Sequence, residues 1–62
     1  MPIVQINFME GRGVEKKRLL VEKVTEAICE SLDVPPAKVR IMLNEMKPEH
    51  YASGGVLRLD EK

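Results

Sequence analysis

The chain is 62 residues long, with one cysteine, one histidine and no tryptophan, so residues 1–62 are expected to form a single domain. Ten Lys and Arg balance ten Asp and Glu, which removes the positive field that a nucleic-acid or anionic-membrane partner requires. No apolar run reaches the roughly 20 residues of a membrane span.

Cys29 has no partner for a disulfide within the chain, and one histidine, His50, does not complete a Cys/His metal cluster. A domain of this size buries only about 60% of the surface its unfolded form exposes. Assembly with copies of itself is therefore the expected source of stability. The N-terminal segment lacks the basic-then-apolar pattern of a secretory leader. The expected compartment is the cytoplasm, in keeping with a single unpaired cysteine.

Residues 2–9, Pro-Ile-Val-Gln-Ile-Asn-Phe-Met, alternate as a strand does. Val4, Ile6 and Phe8 fall on one face, and Ile3, Gln5 and Asn7 on the other. Glu10-Gly11-Arg12-Gly13 breaks the pattern, and Gly13 serves as a tolerable N-cap. From Val14 to Leu32 the apolar positions Leu20, Val21, Val24, Ala27, Ile28 and Leu32 predict one helical stripe, with Glu15, Glu22, Glu26 and Glu30 opposite. Leu19 and Cys29 fall off that stripe. Asp33 and Val34 form the exit, because Pro35 and Pro36 cannot continue the ladder.

Val39 to Met46 alternates again, with Val39, Ile41 and Leu43 on one face and Arg40, Met42, Asn44 and Met46 on the other. Two strands joined by a helix predict an α/β (α+β) chain: a βαβ unit with parallel strands and a right-handed crossover. Gly54-Gly55, between Tyr51-Ala52 and Val56-Leu57, predicts a short C-terminal hairpin. One helix covers one face of a two-stranded sheet, whereas parallel sheets are normally covered on both. The face carrying Ile3, Met42 and Met46 is expected to meet another subunit.

Candidates for chemistry are few. One histidine offers no convincing Ser/His/Asp set, and Gly11-Arg12-Gly13 is too short for a phosphate loop. If Met1 is removed, Pro2 becomes the terminus and supplies a secondary amine. An unperturbed α-amino group titrates at about 7.7 to 8.0, and burial or nearby cations favour its neutral, basic form. That is near the optimum for a general base. A retained Met1 would make the same nitrogen a tertiary amide without basicity. Arg12 and Arg40 suit a bidentate clamp on a carboxylate. In a parallel pair Arg40 shares an edge with Pro2, but Arg12 lies some ten residues along, about 30 Å at 3.3 Å per residue. An Arg12 that works with Pro2 must come from another subunit.

With those residues placed, the chain from Pro2 to about Leu57 resembles the 4-oxalocrotonate tautomerase (2-hydroxymuconate tautomerase) family, within the amino-terminal-proline tautomerases. The resemblance rests on Pro2-Ile3, Glu10-Gly11-Arg12, Glu22-Lys23-Val24-Thr25-Glu26-Ala27, Val39-Arg40, Glu45-Met46, His50-Tyr51 and Gly54-Gly55 in matching order and spacing. It implies a homohexamer, a trimer of dimers, acting on a small dienol or 2-keto carboxylic acid without metal or organic cofactor. By position, Pro2 would be the acid/base. Arg40 would bind the 2-hydroxy or 2-keto group and its neighbouring carboxylate, and Arg12 the distant carboxylate. Tyr51 stands where the family usually has phenylalanine in an apolar pocket wall, and Lys38 where its best-known member has a small hydroxyl residue near the substrate.

Two other functions are open to the same residues. Relatives that hydrate or dehalogenate halo-acrylates add an arginine in the first-strand turn and a carboxylate in the tail, where this chain has Met9 and Ser53. A non-catalytic oligomeric scaffold, with Pro2 capped by Met1, is the third reading.

Overall fold

The alternation of residues 2–9 becomes strand β1, Ile3–Met9. The computed structural model describes residues 1–61. Helix α1, Val14–Leu32, follows with the expected limits, and strand β2, Arg40–Met46, runs parallel to β1. The register pairs Ile3 with Arg40, Ile6 with Leu43 and Met9 with Met46. Val4, Ile6, Phe8, Ile41 and Leu43 are half-buried, while Ile3, Gln5, Asn7, Arg40, Met42 and Asn44 are exposed. The two strands thus present one covered and one open face, as their alternation requires, except at their C-terminal ends, where Met9 and Met46 of the open face are half-buried and Glu45 of the covered face is exposed.

Strand β2 begins one residue later than its apolar pattern implies. Pro36–Lys38 forms a 3₁₀ turn, and the Val39 N–H is spent capping it on the Pro36 carbonyl at 3.1 Å. A second 3₁₀ turn, Pro48–His50, follows β2, and a third spans Arg58–Asp60. Between them lies the hairpin of β3, Ala52–Ser53, and β4, Val56–Leu57. Gly54 and Gly55 have φ of 60° and 84°, the two left-handed positions of a type I′ turn. The arm expected at Tyr51-Ala52 sits one residue further on, because the Tyr51 carbonyl accepts the Arg58 N–H at 2.7 Å outside the ladder.

Helix α1 lies on the covered face along a stripe of Lys17, Leu20, Val21, Val24, Thr25, Ile28 and Cys29, all half-buried. Ala27 and Leu32, expected on that stripe, are exposed, and Cys29, expected off it, is half-buried. Two strands are only about 5 Å apart while a helix is about 10 Å across, so the sheet covers a narrow line of the helix and leaves its flank and end bare. Asp33 ends the helix in the left-handed conformation, φ 55°.

Among the described residues none is fully buried. The chain exposes 4999 Å², whereas a folded monomer of 7.0 kDa is expected to expose about 4,000 Å². Its radius of gyration is 14.8 Å against about 11 Å for a compact chain of this length. The excess is apolar: Ile3 is 57% and Met42 43% exposed on the open sheet face, and Leu19 55% on the helix. Among the described residues no helix is long and apolar enough to cross a membrane.

Candidate active site

Pro2 sits immediately before β1, half-buried, and its carbonyl accepts the Arg40 N–H at 3.0 Å. This bond is the first rung of the parallel ladder, so the sheet itself fixes the backbone of the residue that would carry the amine. Met1 in front of it is 76% exposed. Lys38 ends the Pro36–Lys38 turn two residues before Arg40, and both side chains are exposed. The Arg40 Nη1 donates to the Ala37 carbonyl, which folds the guanidinium back over that turn. Pro2, Lys38 and Arg40 therefore share one end of the sheet. Neighbouring cations of this kind favour the uncharged form of an amine.

Arg12 lies at the other end. The strand ends at Met9, and Gly11, with φ 127°, turns the chain toward the helix in a conformation that favours glycine. The Arg12 Nη1 donates to the Met9 carbonyl at 3.1 Å, and its guanidinium stands 5.8 Å from the centroid of the Phe8 ring. Phe8 thus presents an apolar floor that orients the arginine without neutralising it. Seven strand residues separate this point from Pro2, about 20 Å at the strand rise, less than the roughly 30 Å expected because the extended run stops at Met9 and the Arg12 side chain folds back onto the Met9 carbonyl. Tyr51, 43% exposed, follows the turn after β2 and so belongs to the Arg12 end as well. The five residues singled out by sequence fall into two groups, Pro2 with Lys38 and Arg40, and Arg12 with Tyr51. One chain does not bring the groups together.

The charge around Arg12 is sorted by ion pairs. Lys17 bonds to Glu45, tying α1 to β2, and Arg18 bonds to Glu15 within the helix. Lys23 reaches Glu26 at 3.9 Å. A hollow of about 190 Å³ opens between the helix and β1, with Phe8, Arg12 and Lys16 in its wall. A larger hollow, about 520 Å³, lies along Val21, Thr25 and Cys29, but Glu22, Glu26 and Glu30 line it too. Those carboxylates would repel an acidic substrate, so size does not locate the site here. Lys16 has no signal in the sequence pattern: Arg12 precedes the helix, which starts at Val14, and the two residues are related only by the hollow that both line.

The chain matches the model of the tautomerase enzyme family over residues 2–59. It belongs to the tautomerase family. A 2-hydroxymuconate tautomerase of Pseudomonas putida is 47% identical over 57 residues, covering 92% of this chain and 90% of that protein. A crystal structure of a homologue of 4-oxalocrotonate tautomerase superposes with a TM-score of 0.93 at 41% identity, covering 98% of this chain and all of the other. A heterohexameric 4-oxalocrotonate tautomerase from Chloroflexus aurantiacus gives a TM-score of 0.90 at 32% identity, each chain covered in full. This tautomerase is thus an isomerase by family, and its α+β architecture, with a parallel pair, one helix and a C-terminal hairpin, is the fold of its relatives.

Proposed function

We propose that this tautomerase ketonises 2-hydroxymuconate-like dienol acids, with the amine of Pro2, freed by loss of Met1, as its acid and base. The base takes the proton of the 2-hydroxyl as the O–H bond breaks and a dienolate forms. The same proton then returns to carbon, at C3 or C5, as the C2 carbonyl forms. Nothing is gained or lost overall, so the chemistry asks only for a proton carrier and for cations that stabilise the dienolate. Arg40, with Lys38 beside it, takes the 2-hydroxy group and its carboxylate. Arg12 takes the distant carboxylate and the electron density drawn toward it, and Tyr51 lines the pocket.

The observation that carries this reading is the clustering of Pro2 with two cations at the head of the parallel pair, where the ladder anchors its backbone. The separation of Arg12 from that cluster, together with the uncovered apolar surface, supports a site built between subunits. The heterohexameric neighbour supports a hexamer, here of identical chains.

The test is the ultraviolet-monitored ketonisation of 2-hydroxymuconate by protein whose intact mass lacks Met1. Turnover far above the buffer rate is expected, and Pro2→Ala should lower kcat by orders of magnitude while leaving the assembly intact. An equally active Pro2→Ala variant would remove the proline from the mechanism.

A further inference from the structure

Arg12 is oriented by the Met9 carbonyl and the Phe8 ring, neither of which cancels its charge. Of the cations around it, three are committed elsewhere: Lys17 to Glu45, Arg18 to Glu15 and Lys23 to Glu26. Lys16 differs. Among the described residues it has no carboxylate within ion-pair distance, and it lines two hollows with Arg12, one of about 190 Å³ and one of about 430 Å³; Lys17 lines the first and Lys23 the second, each with a carboxylate partner. Glu15, the acidic residue of the first helical turn, is the one held by Arg18, and Gly13 brings no side-chain oxygen to the helix start. Two positive groups thus line the same hollows, neither of them in an ion pair among the described residues.

We infer that Lys16 is a specificity-determining residue, a second cation that joins Arg12 on the distal carboxylate of the substrate and makes the enzyme selective for dicarboxylates over monocarboxylates. The inference rests on the assignment of Arg12 to the distal carboxylate. An arginine fork fixes the plane of a carboxylate by two parallel bonds, and a lysine adds a point charge from a flexible stem to the remaining lone pairs. A substrate without the distal carboxylate offers nothing for either group to hold, so it neither gains from Lys16 nor suffers from its removal. Lys16 is exposed on the first turn of α1, which allows it to be changed without disturbing the packed stripe.

The experiment compares 2-hydroxymuconate with 2-hydroxypenta-2,4-dienoate, the same diene without the distal carboxylate, across Lys16→Gln, Lys16→Arg, Lys23→Gln and Arg12→Ala. One lost bond between charged groups corresponds to about a tenfold change. Lys16→Gln is expected to raise KM for the dicarboxylate about tenfold and leave the monocarboxylate unchanged, with Lys16→Arg recovering most of the loss. Lys23→Gln should change neither substrate. Equal effects on both substrates, no effect on either, or a Lys23→Gln effect matching that of Lys16→Gln would overturn the inference. Arg12→Ala separates the two levels. If it discriminates between the substrates and Lys16→Gln does not, Lys16 alone is wrong. If Arg12→Ala fails to discriminate, the Arg12 assignment falls and the inference with it.

Discussion

Mixing Pro2→Ala chains with Arg12→Ala chains distinguishes a site shared between subunits from one held in a single chain. The seven residues of β1 set Pro2 and Arg12 about 20 Å apart, several times the length of a six-carbon diacid. Each variant alone lacks one half of every site and is expected to be nearly inactive. When the two are unfolded together in equal amounts and reassembled, a site regains function if its Pro2 donor is an Arg12→Ala chain and its Arg12 donor a Pro2→Ala chain. Each condition holds with a chance of about one half in a randomly mixed symmetric assembly, so about one quarter of wild-type turnover should return. The assay is ketonisation of 2-hydroxymuconate before and after mixing, with native mass spectra to establish that the chains have exchanged. Mixed assemblies no more active than the separate parents would refute the shared site.

Further perturbations address the assembly and the fold. Ile3→Lys or Met42→Lys places a charge on the open face, where these residues are 57% and 43% exposed; sedimentation velocity should show smaller species, with activity falling in step. An assembly unchanged by both would mean that this face is not an interface. Gly55→Ala must adopt φ 84° with a side chain, so it should lower unfolding stability by about 1 kcal/mol in urea titrations, whereas a neutral outcome would indicate that the hairpin turn relaxes at no cost.

The backbone plan was legible because three segments carry unmixed signals. Residues 2–9 and 39–46 alternate, residues 14–32 repeat at helical spacing, and Gly54-Gly55 sits where only a tight turn fits. What local pattern did not carry was the width of the sheet. With two strands beneath it, α1 covers Thr25 and Cys29 while Ala27 and Leu32 stay exposed, so a stripe drawn from hydrophobicity alone came out rotated and too long. The 3₁₀ turns at Pro36–Lys38 and Pro48–His50 have a signal in hindsight, a proline at the first position. The turn at Arg58–Asp60 has none. The Lys17–Glu45 pair joins residues 28 apart in the chain, and only the register of helix on sheet brings them together.

For the candidate site, pattern alone put Pro2 and Arg40 at one edge, because the parallel crossover brings the starts of β1 and β2 together, whereas Lys38 was named from family resemblance and the turn of Pro36–Lys38 sets it at the same end. Pattern also separated Arg12 from Pro2 and Arg40, since strand length is set by residue count. The position of Tyr51 came from family resemblance rather than from pattern, and in one chain it lies with Arg12, away from Pro2. Lys16 was overlooked because a lysine in a charged helix carries no mark of its own until the ion pairs of its neighbours are known.

The central claim, that a free Pro2 amine carries the proton, is tested most directly by preparing the chain in two forms, one beginning at Met1 and one at Pro2, and measuring 2-hydroxymuconate ketonisation by each at equal concentration of assembled protein. A chain of 62 residues is within reach of chemical synthesis, so each form can be made pure and its mass verified. Turnover confined to the form that begins at Pro2 is the predicted result. Equal turnover by the form that retains Met1, whose Pro2 nitrogen is a tertiary amide and has no proton to move, would contradict it.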